Sequence, residues 1–439
     1  MANGAALHVP AYAPRVTAAP RAILSPILII LAVAILACPE ETSLFIGGLR
    51  LTVARIVLLF VLPYALLRFI QQAGTRSYRF VISDALFIPT ALWMLLAVCV
   101  TEGLDRAIVG CGVTALEFAG AYFAARALLT GPGQALVLAQ WVSVLIAIAG
   151  YLAPLDTITG HHVIHDVLGS ITGYEPTYQV DVRRGLLRST STMEHPILLG
   201  TACVAGMLLG LRLPIVWRCF VIAGTAIGLG ASISSAPVCA IIIGFACLAY
   251  RRVTPGFDTR WMWLLGICAL LLTALLTLHP APFGWLIGHT TFEPTSGYYR
   301  LLTWHYAGEL VLASPVFGIG LTEQWARPDW LLPTVDTEWL RAAMSFGIPG
   351  SVLIAACLIG ACARRVDSPR VNLSPDERQL GLVLSINTFL IIFIGFTTSF
   401  WGTTWILMGL FAGMRAHLGA RAALPATAEP WARRVHANP

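Results

Sequence analysis

Twelve apolar runs, at 22–39, 52–70, 82–100, 107–128, 133–153, 195–211, 214–231, 233–250, 260–279, 342–362, 380–397 and 400–416, leave this chain few ways to fold. A bilayer's hydrocarbon core is about 30 Å thick and a helix rises about 1.5 Å per residue, so roughly 20 apolar residues make one crossing. Within lipid the backbone must satisfy its own hydrogen bonds, which favours helices for runs of this length. The expected fold is therefore all-α, a polytopic membrane protein with about 12 transmembrane helices. Composition agrees. Hydrophobic residues make up 57% of the 439 and charged residues 11%, against about 25% charged in ordinary soluble domains, and mean hydropathy is +0.77. Residues 1–20 read as an N-terminal arm, 21–416 as the transmembrane unit and 417–439 as a disordered tail. No small-residue cleavage site follows the first run, so it is expected to be retained. The ten cysteines lie mostly inside apolar runs without a CxxC pair and read as small buried hydrophobes.

An even number of crossings puts both termini on one side. Arg68, Arg76, Arg79, Arg126, Arg212, Arg218, Arg251, Arg252, Arg260, Arg364, Arg365, Arg370, Arg415, Arg421, Arg433 and Arg434 all fall on that side, and a Lys/Arg excess marks the cytoplasmic face. The opposite face receives two large loops, 154–194 and 280–341, whose arginines orientation does not explain.

The first loop carries Asp156, His161, His162, His165 and Asp166, whose spacing fits no zinc pattern; no metal is expected there. It then presents Arg183, Arg184 and Arg188, followed by Ser189-Thr190-Ser191-Thr192-Met193-Glu194-His195-Pro196. Proline suits the first turn of a helix, and the unpaired amides there, with Arg188 nearby, would receive anionic oxygens. The bland alternative is interfacial arginines paired with lipid phosphate.

The second loop has no window apolar enough to cross a membrane. It holds Arg300, His305, Glu309, Arg327, Asp329, Asp336, Glu338 and Arg341, with Trp304, Trp325, Trp330 and Trp339 suited to headgroup depth. Spacing over 299–313 predicts an interfacial amphipathic helix ended by Ser314-Pro315, then a glycine turn at Phe317-Gly318-Ile319-Gly320. Gly347 and Gly350, just inside the next run, allow close packing or a break. Two separated arginines with a carboxylate between them suit a doubly charged phosphate leaving group and a base for a hydroxyl. The commoner fate of charged loop residues is simple solvation.

Within the runs, Glu117 is expected to face the bundle interior, with Arg55 as candidate partner. Asp84 is placed near the end of its run, within reach of water. Ser232, Ser234 and Ser235 occupy an external turn that could line a polar pocket or cap the helix of Pro237.

Several of these segments together resemble the bacterial O-antigen ligase and Wzy-type polysaccharide polymerase superfamily. Arg188 through Gly200 resembles its loop-to-helix motif. Ser296-Gly297-Tyr298-Tyr299-Arg300, Trp304 and Pro315-Val316-Phe317-Gly318-Ile319-Gly320 resemble its second arginine motif and following turn. Asp336-Thr337-Glu338-Trp339-Leu340, running on to Gly347-Ile348-Pro349-Gly350, resembles the end of its large periplasmic loop, and Ser232 to Pro237 sits where relatives carry a Ser-rich turn. The resemblance implies a GT-C-type glycosyltransferase architecture in the bacterial inner membrane, with the active site periplasmic. Donor and acceptor would be undecaprenyl-diphosphate-linked oligosaccharides, joined with inversion. It implies Arg188 and Arg300 on the diphosphate, Asp336 or Glu338 in catalysis, and Arg183, Arg184, His195, Tyr299, Trp304, His305 and Ser234 in substrate binding; His305 is a further candidate base. No cofactor, metal or nucleic acid is expected. Partners are the lipid bilayer and, for a polymerase, a chain-length regulator and export machinery.

Ligases carry a histidine, usually followed by Asn, where this chain has Asp336 and Thr337, which favours a polymerase over transfer to lipid A core or to protein. A rival from another class is a lipid-linked oligosaccharide transporter, which predicts symmetric halves and broken helices meeting at mid-membrane.

Overall fold

The computed structural model describes residues 23–46, 49–75, 78–174, 181–183, 185–257, 259–290, 294–322, 324–368 and 370–424. Each expected run coincides with a helix: α1 Pro26–Leu36, α2 Val53–Ala73, α3 Ile82–Glu102, α4 Leu104–Leu128, α5 Gln134–Thr159, and, past α6 (Val163–Thr172) in the first loop, α7 Pro196–Gly210, α8 Ile215–Ala231, α9 Ser235–Val253 and α10 Arg260–Leu278. In the second loop lie α11 Pro282–Thr290 and α12 Pro294–Ala313; beyond it come α13 Glu338–Cys362, α14 Pro375–Ile394 and α15 Gly402–Ala422. Eight of these are long and apolar enough to cross a membrane, and α1, α6, α7 and α8 are shorter apolar helices. The chain is an all-helical, multi-pass membrane protein. Its only strands among the described residues form two small hairpins, β1 Ser43–Ile46 with β2 Leu49–Thr52, and β3 Val182–Arg183 with β4 Leu186–Leu187.

Two boundaries differ from the expectation. The fifth run does not stop at 153: α5 passes through Pro154 to Thr159 because Asp156 is buried and hydrogen-bonded. The last helix continues beyond 416, and His417 and Arg421 are buried within it, so the tail begins later than expected.

Glycine pairs spaced by four bring helices into close contact. Gly224 and Gly228 of α8 meet Gly150 of α5, where a Cβ on Gly228 would lie 2.7 Å from the Gly150 Cα. Gly409 and Gly413 of α15 lie against the α4 backbone, where a Cβ on Gly413 would lie 2.8 Å from the Ala125 Cβ. Small-xxx-small spacing lets helix backbones approach where no hydrophobic force drives association within lipid. By contrast, α10 buries none of its side chains against the rest of the chain.

One end of the bundle is pinned by ion pairs. Asp84 accepts from Arg126 Nε at 2.9 Å and Nη2 at 3.0 Å, from the Tyr122 hydroxyl at 2.5 Å and from the Val81 amide at 2.9 Å. Asp84 is thus buried and saturated, not reaching water as expected, because the start of α3 lies beside the end of α4. Nearby, Arg421 pairs with Glu377, and Arg415 donates to the carbonyls of Cys362 and Arg364.

At the other end, the helix over 299–313 begins earlier than expected, at Pro294, and buries Gly297, Thr303, Ala307 and Val311, a stripe at helical spacing. Past its end, Gly318 and Gly320 take positive φ (73° and 86°), and α13 breaks at Gly347 (φ 72°, ψ 173°). The turn and the break interlock: Ile319 N donates to Met344 O at 2.6 Å and Ile348 N to Pro315 O at 2.8 Å. A Cβ on Gly318 or Gly347 would collide with the opposing backbone.

Candidate functional site

The Ser/Thr stretch that follows Arg188 is unusual in being almost wholly buried. Its anchor is Asp156, at the end of α5. One carboxylate oxygen accepts the Ser189 hydroxyl (2.8 Å) and the amides of Thr190 (3.2 Å) and Ser191 (3.0 Å), while the other accepts the Val163 amide (3.1 Å). His162 hydrogen-bonds Thr190 Oγ1 at 3.0 Å, and His165 bonds Glu41 at 2.8 Å. The Asp/His cluster therefore acts as a scaffold for the loop. Asp156 thus positions the Ser/Thr stretch, a role the sequence reading does not assign it; its signal is an acid just past the end of an apolar run.

That scaffold fixes Arg188, which is 1% exposed. Its Nε donates to Ser232 O at 3.1 Å, its Nη2 to Ser234 Oγ at 2.5 Å, and its Nη1 to Asp181. All three nitrogens are engaged, so Arg188 stands behind the site instead of within it. The arginines that line a cavity are others. A cavity of about 80 Å³ is lined by Arg183, Arg300, Ser234, Ser235, Ser296 and Thr397, among others. Arg300 reaches it from α12 with only a long bond to Ser296 O (3.4 Å), and its buried Nε has no partner among the described residues. Burial holds the Arg300 guanidinium below its usual pKa, an effect opposed by Asp336 and reinforced by Arg183. Arg188 is lowered likewise, by burial first and then by Arg183 and Arg300. Three guanidinium groups thus share one small region, and an anion there would relieve their repulsion.

His195 caps α7, its Nδ1 accepting from the Ile197 amide at 3.2 Å, and its ring lies 5.7 Å from that of Trp401. Burial, with the Arg188 charge, pushes its pKa down to about 4, so the ring is neutral at ordinary pH.

The carboxylates are distributed elsewhere. Asp336 lines a separate cavity of about 220 Å³ together with Trp325, Arg341, Ser345, Ser399 and Trp401. Glu338, 1% exposed, starts α13; its Oε2 accepts the Phe400 amide (2.5 Å) and Arg341 Nη2 (2.8 Å), a clamp between α13 and the segment before α15. Trp304 is half-buried and stacks near Phe396, whereas His305 is exposed beside Glu309 and Tyr299 is 40% exposed. The structure does not bring Tyr299, Trp304, His305 or Glu338 to the arginine cavity. Arg184 lies outside the described residues. Glu117 meets its expected partner: Arg55 Nε donates to it at 2.8 Å.

No family model matches the chain, and no curated protein matches it in sequence.

Proposed function

We propose that the protein is a polysaccharide polymerase of the O-antigen ligase and Wzy-type superfamily, with twelve crossings, a GT-C-type plan, cytoplasmic termini and a periplasmic site in the bacterial inner membrane. The observation that supports it best is the cavity lined by Arg183 and Arg300, with Arg188 behind Ser234. In this account the cavity takes the diphosphate of an undecaprenyl-linked donor. A hydroxyl oxygen of the acceptor glycan forms a bond to the donor's anomeric carbon as the bond to the diphosphate oxygen breaks. The electron pair leaves with the diphosphate, and the arginine N–H groups stabilise the charge that develops there. The hydroxyl proton passes to a carboxylate, for which Asp336 is the candidate because its charge reaches Arg300.

The test is incubation of the purified protein in liposomes with lipid-linked repeat units. Longer glycans are expected, and Arg300→Ala is expected to slow their formation by about 100-fold or more. Glycan appearing on lipid A core or on polypeptide would make it a ligase. Units that merely cross the bilayer would make it a transporter.

A further inference from the structure

Trp401, which lines the cavity of Asp336, also lines another, of about 230 Å³, whose polar lining includes Glu40, Arg50, Arg55, Glu117 and Glu194. The groups come from six segments: the stretch after α1, the β1–β2 hairpin, the start of α2, the π-helical turn of α4 at 116–120, the loop before α7 and the start of α15. Several interactions hold the walls. Arg50 pairs with Glu40 and donates to the Tyr174 hydroxyl at 2.5 Å, Arg55 Nη1 donates to Arg50 O at 2.9 Å, and Glu194 Oε1 accepts both the amide (2.9 Å) and the hydroxyl (2.8 Å) of Thr403.

Two buried polar atoms of these lining residues have no hydrogen-bond partner among the described residues: Arg50 Nε, a donor, and Glu194 Oε2, an acceptor. A buried orphan of either kind is destabilising. At the floor is Gly402, where a Cβ would lie 2.9 Å from Glu117 Oε1, 3.4 Å from Glu194 Oε1 and 3.6 Å from Arg55 Nη2. A side chain at this position would crowd both carboxylates and the guanidinium.

We infer that this cavity is a saccharide subsite, holding one sugar ring of the acceptor glycan. Sugar hydroxyls both donate and accept, which suits the interleaved carboxylates and guanidinium groups of the lining. The apolar C–H face of a sugar packs on an aromatic ring, and Trp401 is 41% exposed. The volume is ample for one ring. The cavity is close to the arginine site through the chain itself: Glu194 lines it, while the next residue, His195, feels the charges of Arg188, Arg183 and Arg300. Assignment to the acceptor rests on the glycosyl-transfer reading, whereas sugar binding does not.

Saturation-transfer NMR on the detergent-purified full chain, with glucose, galactose, N-acetylglucosamine and glucuronic acid in turn at millimolar concentration, tests it. At least one sugar is expected to bind the wild type. Gly402→Ala and Glu194→Gln, both checked for folding by melting temperature, are expected to weaken it by about tenfold, the loss of one charged hydrogen bond. Trp401→Leu, at an exposed ring, serves if either misfolds, and Arg300→Ala is expected to bind sugar normally. No binding by any of the four sugars, or unchanged binding in the folded variants, overturns the subsite. In the transfer assay the same variants are expected to raise KM for the acceptor and leave KM for the donor unchanged; the opposite pattern overturns the acceptor assignment. Sugar binding without any transfer by the wild type would leave the subsite standing and remove the polymerase.

Discussion

His195 shows how a single side chain can carry both fold and electrostatics. Unfolded, its imidazole takes a proton near pH 6.5; folded, only near pH 4. Between those values the unfolded chain binds more protons, so stability falls as pH drops through this window and is complete above it. Melting temperature in detergent is expected to decline by a few degrees from pH 6.5 to 4.5, and less steeply in His195→Asn, which keeps a capping side chain but cannot titrate. At this scale the sequence was unevenly legible. Glu117 could be given a partner because it sat deep in an apolar run, where the neighbouring run offered Arg55 as a cation. Asp84 and Arg126 could not, because each sat near a run's end where water was an equal candidate. Nor could sequence decide which arginine faces the cavity: neighbours on a short strand point to opposite sides, and Arg188 was the motif residue yet proves to be the buried one.

Among elements, the ends of helices carry most of the specificity. Removing the carboxylate that joins α3 to α4 would leave the Arg126 guanidinium buried and uncompensated. Asp84→Ala is expected to cost about 3–5 kcal/mol, read as a large drop in melting temperature, whereas Ala at the exposed Asp329 is expected to change little. The break in α13 makes a second prediction. Gly347 combines a positive φ with no room for a Cβ, so Gly347→Ala is expected to lose about 1–3 kcal/mol or more and to accumulate poorly in membranes. Size-exclusion profile and melting temperature check it. Apolar runs predicted every helix long and apolar enough to cross a membrane because hydropathy over a crossing is a strong signal. The Gly224/Gly228 and Gly409/Gly413 spacings were equally present in the sequence, but their meaning depends on which helix lies opposite, which no single chain reveals. Helix α6, buried at His165 and Gly169 yet short, was absorbed into a loop for want of length.

For the molecule as a whole, the arrangement sorts its charges. Among the described residues, Arg79, Arg126, Arg364, Arg415 and Arg421 lie at the end held together by Asp84–Arg126 and Glu377–Arg421, while Arg183, Arg188 and Arg300 gather at the other. With the native cysteines replaced, a single cysteine at Asp329 is expected to react with a membrane-impermeant maleimide in intact cells, and one at Arg370 only after permeabilisation. The reverse pattern would invert the proposed topology and remove the periplasmic site.

The keyed glycine turns have a mechanical corollary. Arg300 rides on α12, and the loop leaving α12 is locked backbone to backbone into the first part of α13. Any displacement of that arginine large enough to admit or release a bulky anion must therefore drag the upper turns of α13 with it, or pry the two backbones apart. Under the proposed function, a shift of α12 as a body on taking up the anion would carry the wall bearing Arg341 and Ser345 with it, coupling the two cavities.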